Sequence, residues 1–241
     1  PTAGELILDL ISLEYADVVM AASGHQAEEA KHQAMEKYKG QYILIVEGSI
    51  PTGADGAYCT IAGESAMVDC KKLVQNAAAT ICVGSCSSFG GIPAAAPNPT
   101  NAVSVSSLVP GAAIINLPGC PVNATNLTAT IVHFMTFGKL PAVDRLGRPK
   151  FAYGKRIHDN CERRGHFDAG QYAESFGDAA HRQGHCLYKL GCKGPETFHN
   201  CPTVRYNEGT SWPVMAGHGC IGCSEPGFWD TMSPFYRRLP K

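Results

Sequence analysis

Eleven cysteines in 241 residues, six of them crowded between Cys161 and Cys223, constrain this chain more than any other feature. An odd number rules out complete internal disulfide pairing. A chain of this length also has enough material for a core without disulfide staples. The stretch carrying Cys161, Cys186, Cys192, Cys201, Cys220 and Cys223 is polar and rich in Gly and Pro. Its apolar content is too thin to fold by burial alone, and metal–thiolate bonds can supply what that core lacks.

The first 150 residues have a different character. Glu5–Ile11, Tyr42–Val46, Thr80–Val83 and Ala112–Leu117 are short apolar runs of the kind that form buried parallel strands. His25–Tyr38, Glu64–Asn76 and Asn126–Phe137 carry apolar residues at three- and four-residue spacing and read as helices. The alternation predicts an α/β fold, a doubly wound parallel sheet with right-handed crossovers, over residues 1–150. From 151 to 241 the alternation stops, which predicts a smaller, mostly irregular domain. The net charge of -1, with no basic run interleaved with aromatics, excludes nucleic acid as an expected partner.

In open α/β sheets ligands bind beyond the carboxyl ends of the strands. Three strand ends here run into Gly-rich loops, Glu47–Pro51, Gly84–Gly91 and Pro118–Asn123, and two of these present a cysteine, Cys86 and Cys120. Further on come His158-x-x-Cys161, Cys186-x5-Cys192, then Cys201 and Cys220-x-x-Cys223. Imidazole and thiolate suit zinc and iron–sulfur clusters alike, so ligand type leaves both open. A single buried cysteine is ordinarily a small inert hydrophobe. Cys59, Cys70 and Cys82 fit that description, whereas six cysteines and a histidine at short spacings do not. The other histidines, His199 among them, read as surface or supporting residues. The Asn-x-Thr sequons at Asn123 and Asn126 are adjacent to a cysteine loop and read as chance.

Several motifs together resemble the small subunit of nickel–iron hydrogenases of the membrane-associated or periplasmic uptake type. They are Val46–Pro51, Gly84–Gly91, Pro118–Pro121, Gly165–Gly170, Cys186–Glu196 and Gly219–Pro226, and the likeness spans essentially the whole chain. The resemblance implies a flavodoxin-like sheet and three clusters in a line. A distal [4Fe–4S] cluster would sit on His158, Cys161, Cys186 and Cys192, and a medial [3Fe–4S] cluster on Cys201, Cys220 and Cys223. A proximal [4Fe–4S] cluster would use Cys86 and Cys120. The implied function is electron transfer from H2 oxidation at a Ni-Fe centre in the partner large subunit to an external acceptor, a c-type or b-type cytochrome. A periplasmic location is implied as well, with membrane association through a segment not in this chain.

Two positions refine the resemblance. Selenium-containing relatives have a fourth medial cysteine where this chain has Pro213, hence the three-iron expectation. Oxygen-tolerant relatives have an extra proximal cysteine at the position of Gly91, so an ordinary, oxygen-sensitive proximal cluster is expected. The family supplies two further proximal ligands after a first strand lying beside Glu5–Ile11 in mid-sheet. The protein is therefore expected to extend upstream of Pro1, and tethering beyond Lys241 stays open. The nickel site of the family needs two Cys-x-x-Cys pairs, and Cys220/Cys223 is the only one here. Competing readings are a zinc-stabilised binding module and an iron–sulfur subunit of another hydrogenase class or a respiratory complex. Glu47, at a strand end, reads either as a solvated carboxylate or as a large-subunit or proton-route contact.

Overall fold

Short apolar runs become strands where a parallel neighbour takes up their backbone groups. The computed structural model describes residues 3–238. Its central sheet contains β1 (Ile43–Glu47), β2 (Ala79–Val83) and β3 (Ile114–Leu117), parallel and in that spatial order. Ile43 lies opposite Ala79, and Thr80 opposite Ile114. Because side chains alternate across a strand, neighbouring residues serve different cores. Ile81, Ile115 and Leu117 pack with Ile131, Ala152 and Tyr153. Cys82 instead packs with Ile50, Cys70, Val74 and Val105. Burying each such aliphatic side chain contributes about 1.5–3 kcal/mol.

Helices cover both faces. They are α1 (Gly24–Lys37), α2 (Ala66–Asn76), the short α3 (Gly84–Phe89) and α4 (Ala124–Phe137). Ser65 caps α2 by accepting from the Met67 N–H, and Asn123 caps α4 by accepting from the Thr125 N–H. Asn123 and Asn126 are both 1% exposed. Their amides bond Arg205 O and Asn200 Oδ1, so neither sequon presents a free side chain in this fold.

One expected strand is corrected. Ala3–Glu5 is helical and Leu6–Leu10 forms a π-helical turn, closed by Ile11 N–H to Leu6 O at 3.0 Å. An apolar run this short satisfies either periodicity, and its partners decide. Among the described residues no strand lies beside it, so its amides close locally. The expectations for the chain before Pro1 and beyond Lys241 fall outside the described residues. No helix among those described is long and apolar enough to cross a membrane.

Beyond Tyr153 the longest helix is Arg164–Asp168, five residues. A compact cluster of Ile157, Ala173, Leu187, Leu190, Trp212 and Val214 encloses Cys201 and Cys220. The two halves are stitched by polar bonds. Asn126 and Asn200 exchange amide bonds at 2.9 Å, and Tyr153 donates to Pro118 O at 2.8 Å. Buried Arg148 pairs with Asp144 at 2.8 Å and with Glu225 at 3.0 Å, joining the loop after α4 to the segment after Cys223.

Candidate metal centres

None of the eleven cysteines is paired in a disulfide. His158 and Cys161, and 25 residues on Cys186 and Cys192, line one cavity together with Ile157, Arg163, Leu187, Tyr188, Gly194, Pro195 and Val214. It has about 330 Å³ of atom-free space, part of it open to solvent. A 3-10 turn, Ile157–Asn160, presents His158, and Cys161 follows it directly. Phe167 packs edge-on against the His158 ring at 4.4 Å. Backbone N–H groups point at the sulfurs: Arg163 at Cys161 (3.4 Å) and Cys220 at Cys192 (3.3 Å). Burial pushes the Cys161 thiol up to about 11 and raises Cys186 and Cys192 as well. Burial, then nearby Arg164, lowers His158, leaving a neutral imidazole able to donate to a metal.

The second group lies behind the first. Cys201 and Cys220 are buried, 6% and 7% exposed. The segment holding Cys220 runs against the first cavity: Lys193 N–H donates to Cys220 O at 2.7 Å. A Cβ on Gly219 would stand 3.0 Å from the Cys192 Cα, so glycine lets the two segments approach without crowding. Gly222 N–H meets Cys220 Sγ at 3.4 Å. Burial drives Cys201 up to about 12 and raises Cys220 and Cys223. Cys201 Sγ lies 3.0 Å from His199 Nδ1 and 3.8 Å from the Tyr206 hydroxyl. Burial, then Arg148, lowers His199 to about 4, so its ring is neutral.

The third group is the sheet edge. Cys86 sits in α3, directly after β2, and Cys120 three residues beyond β3. Ser85 joins them, its N–H donating to Gly119 O at 2.9 Å and its hydroxyl accepting from Gly119 N–H at 2.9 Å. The same hydroxyl donates to Cys223 O. Cys120 is close enough to Cys86 and Cys223 to interact electrostatically with both thiols, and its N–H serves the Cys223 sulfur. The three groups are therefore neighbours in series, Cys86/Cys120 beside Cys223, and Cys220 beside Cys192.

The residues fit iron–sulfur clusters by donor chemistry. Desolvated thiols at about 11 and 12 hold their protons, and an electropositive metal offers each a way to ionise without water. Among the described residues Glu28, His32 and Asp69 also offer ligand atoms within 4.8 Å of one another. The Lys31 ammonium already pairs with both carboxylates there. Cys70 and Cys82 are buried, in α2 and β2, as inert cysteines should be, while Cys59 is half-buried. Ser85, Arg148 and His199 are not singled out by sequence. Ser85 and His199 do stand one and two residues from proposed ligands, the one signal they offer.

A parallel sheet whose carboxyl edge leads into serial His/Cys groups defines an α/β protein with a cysteine-rich, metal-ligating annex. Residues 153–236 match the family described as the C-terminal part of the NiFe/NiFeSe hydrogenase small subunit. Residues 1–134 match the family described as NADH ubiquinone oxidoreductase, 20 Kd subunit. The quinone-reactive Ni/Fe-hydrogenase small chain of Wolinella succinogenes is 55% identical, over 98% of this chain and 67% of that one. The hydrogenase-2 small chain of Escherichia coli is 55% identical, over 94% of this chain and 61% of its own length. This chain thus spans about two thirds or less of the curated relatives it matches. A [NiFeSe]-hydrogenase structure from Desulfomicrobium baculatum superposes with a TM-score of 0.92 at 36% identity, covering 99% of this chain and 90% of that one. The chain belongs to the small-subunit family of nickel–iron hydrogenases.

Proposed function

We propose that this chain is the electron-transfer subunit of a nickel–iron hydrogenase, working against a large subunit that holds the Ni-Fe centre and oxidises H2. His158, Cys161, Cys186 and Cys192 would hold a distal [4Fe–4S] cluster, and Cys201, Cys220 and Cys223 a medial [3Fe–4S] cluster. Cys86 and Cys120 would supply half the ligands of a proximal [4Fe–4S] cluster. When bound, these groups would supply one-electron redox sites in series. The observation that carries the reading is the single cavity lined by His158 and three cysteines gathered from 35 residues of sequence.

The chain's own residues do the rest. N–H groups of Arg163, Cys220 and Gly222 donate to the sulfurs and stabilise thiolate in a dry setting. The apolar cluster around Cys201 and Cys220 keeps water from the middle of the series. His158, half-buried, gives the distal group a neutral ligand near the surface, suited to an exit. Lys193, 1% exposed, donates to Pro234 O and Arg237 O and fixes the C-terminal segment over this junction. The division at 150/151 is proposed as functional, the sheet half holding the proximal group and the rest the other two. A periplasmic location with a c-type or b-type cytochrome acceptor is part of the proposal.

The test is H2-dependent reduction of a dye by the full complex, with iron and acid-labile sulfide measured alongside. Cys192→Ala should remove distal iron and slow turnover with a large external acceptor. A colourless complex holding zinc and no sulfide would overturn the reading.

A further inference from the structure

We propose that His199, through an Nδ1–H···Sγ hydrogen bond to Cys201, is a positioning residue that sets the reduction potential of the cluster held by Cys201, Cys220 and Cys223. The inference rests on the cluster assignment above and adds to it a group that touches no metal. His199 Nδ1 lies 3.0 Å from Cys201 Sγ. A metal-bound thiolate carries no proton, so the hydrogen between the two atoms belongs to the imidazole. That fixes the tautomer and leaves Nε2 as the acceptor nitrogen.

His199 is 2% exposed, and its Nε2 has no hydrogen-bond partner in the structure. A ring needed only for packing would be served as well by phenylalanine, which brings no orphaned nitrogen into a dry core. The imidazole keeps one nitrogen unsatisfied while the other points at a sulfur. Tyr153 holds it there by an edge contact with ring centroids 4.8 Å apart and planes at 85°. The other side-chain donor near this sulfur, the Tyr206 hydroxyl, stands at 3.8 Å and also lies 3.4 Å from Pro121 O. His199 is thus the short-range side-chain donor to Cys201. Hydrogen bonds to cluster sulfurs stabilise the reduced, more negative state more than the oxidised one and raise the potential.

The experiment uses the full chain in its metal-loaded complex with the large subunit. The mildly oxidised EPR signal is followed through a potentiometric titration for wild type, His199→Phe and His199→Asn. Phenylalanine keeps the ring and loses the donor, whereas asparagine places an amide N–H where Nδ1 was. The expected result for His199→Phe is about a tenfold fall in the reduced-to-oxidised ratio at fixed potential, about 59 mV downward for one electron, with His199→Asn closer to wild type. No shift in His199→Phe, or equal shifts in both variants, would overturn the proposal. Should the variants fail to load iron, wild type with 15N-labelled histidine decides. A weak nitrogen coupling on the oxidised signal is expected, and its absence overturns the assignment. A wild-type complex with no iron or sulfide would sink the cluster reading itself, and is told apart because no signal exists to titrate.

Discussion

Gly91 sits at φ +54° where an added Cβ would lie 2.9 Å from the Cys86 N, Cα and Sγ. Gly91→Ala should strain the loop by about 1–3 kcal/mol and loosen Cys86. The expected outcome is loss of iron from the sheet-edge site with the buried signals intact, read by iron analysis and EPR. Glu47 makes the opposite case. It is exposed at the end of β1, where its carboxylate is open to solvent. Glu47→Gln should leave iron content and H2-dependent turnover unchanged and shift stability by no more than about 0.5 kcal/mol. A collapse of turnover at constant iron would reinstate a proton-route or large-subunit role. At this scale the sequence was most informative about thiols, because cysteine spacing in a Gly/Pro-rich stretch has few other uses. It was silent about Ser85 and Arg148, and read His199 only as one of several surface or supporting histidines. Ser85 and Arg148 depend on what long-range folding sets beside them, Gly119 and Cys223 for the first and Glu225 for the second, whereas His199 depends on the burial that turns it inward onto Cys201 two residues on.

Among the elements, the loop after α4 and the segment after Cys223 meet through Arg148 and its carboxylates. Arg148 is 3% exposed, so Arg148→Met would strand Glu225 and Asp144 without their cation. A loss of about 3–5 kcal/mol is expected in chemical denaturation, since removing one partner leaves a buried charge uncompensated. Asp178 governs a smaller element, capping the helix Ala179–Arg182. Backbone N–H groups of His181, Ser175 and Glu174 hold its carboxyl down to about 2. The folded value lies below the unfolded one of about 3.9, so the cap's contribution is complete above that pH and drains away as pH falls towards 2. Hydrogen exchange across residues 174–182 should accelerate over that window in wild type, and Asp178→Asn should flatten the profile. The longer helices were legible because their periodicity runs long enough to exclude alternatives, while β1, β2 and β3, four or five residues each, became strands because parallel neighbours take up their backbone groups. Glu5–Ile11 was not legible, because a seven-residue apolar run takes the form its neighbours permit, and here it closed on itself as a helical turn.

Taken as a whole, the molecule places a doubly wound sheet under one end of a series of His/Cys groups. The contacts that order them are a serine hydroxyl between two loops and a third strand of chain, and N–H groups shared between consecutive groups. Apart from Glu5–Ile11, the α/β half was readable from alternation. The irregular half was readable only as chemistry, because short turns around buried thiols carry no periodicity for a sequence to display. Its order in space, Cys86 and Cys120 next to Cys223, then Cys220 next to Cys192, came from the fold. Family membership follows from 55% identity to curated small chains, and electron relay is the function this series of groups supports best. The measurement that bears on it most directly is iron, acid-labile sulfide and zinc in the purified complex, with low-temperature EPR after mild oxidation. The expected result is a brown protein with iron and sulfide in near-equal amounts and a three-iron signal that Cys201→Ala abolishes. Zinc without sulfide, or iron with no three-iron signal, would contradict it.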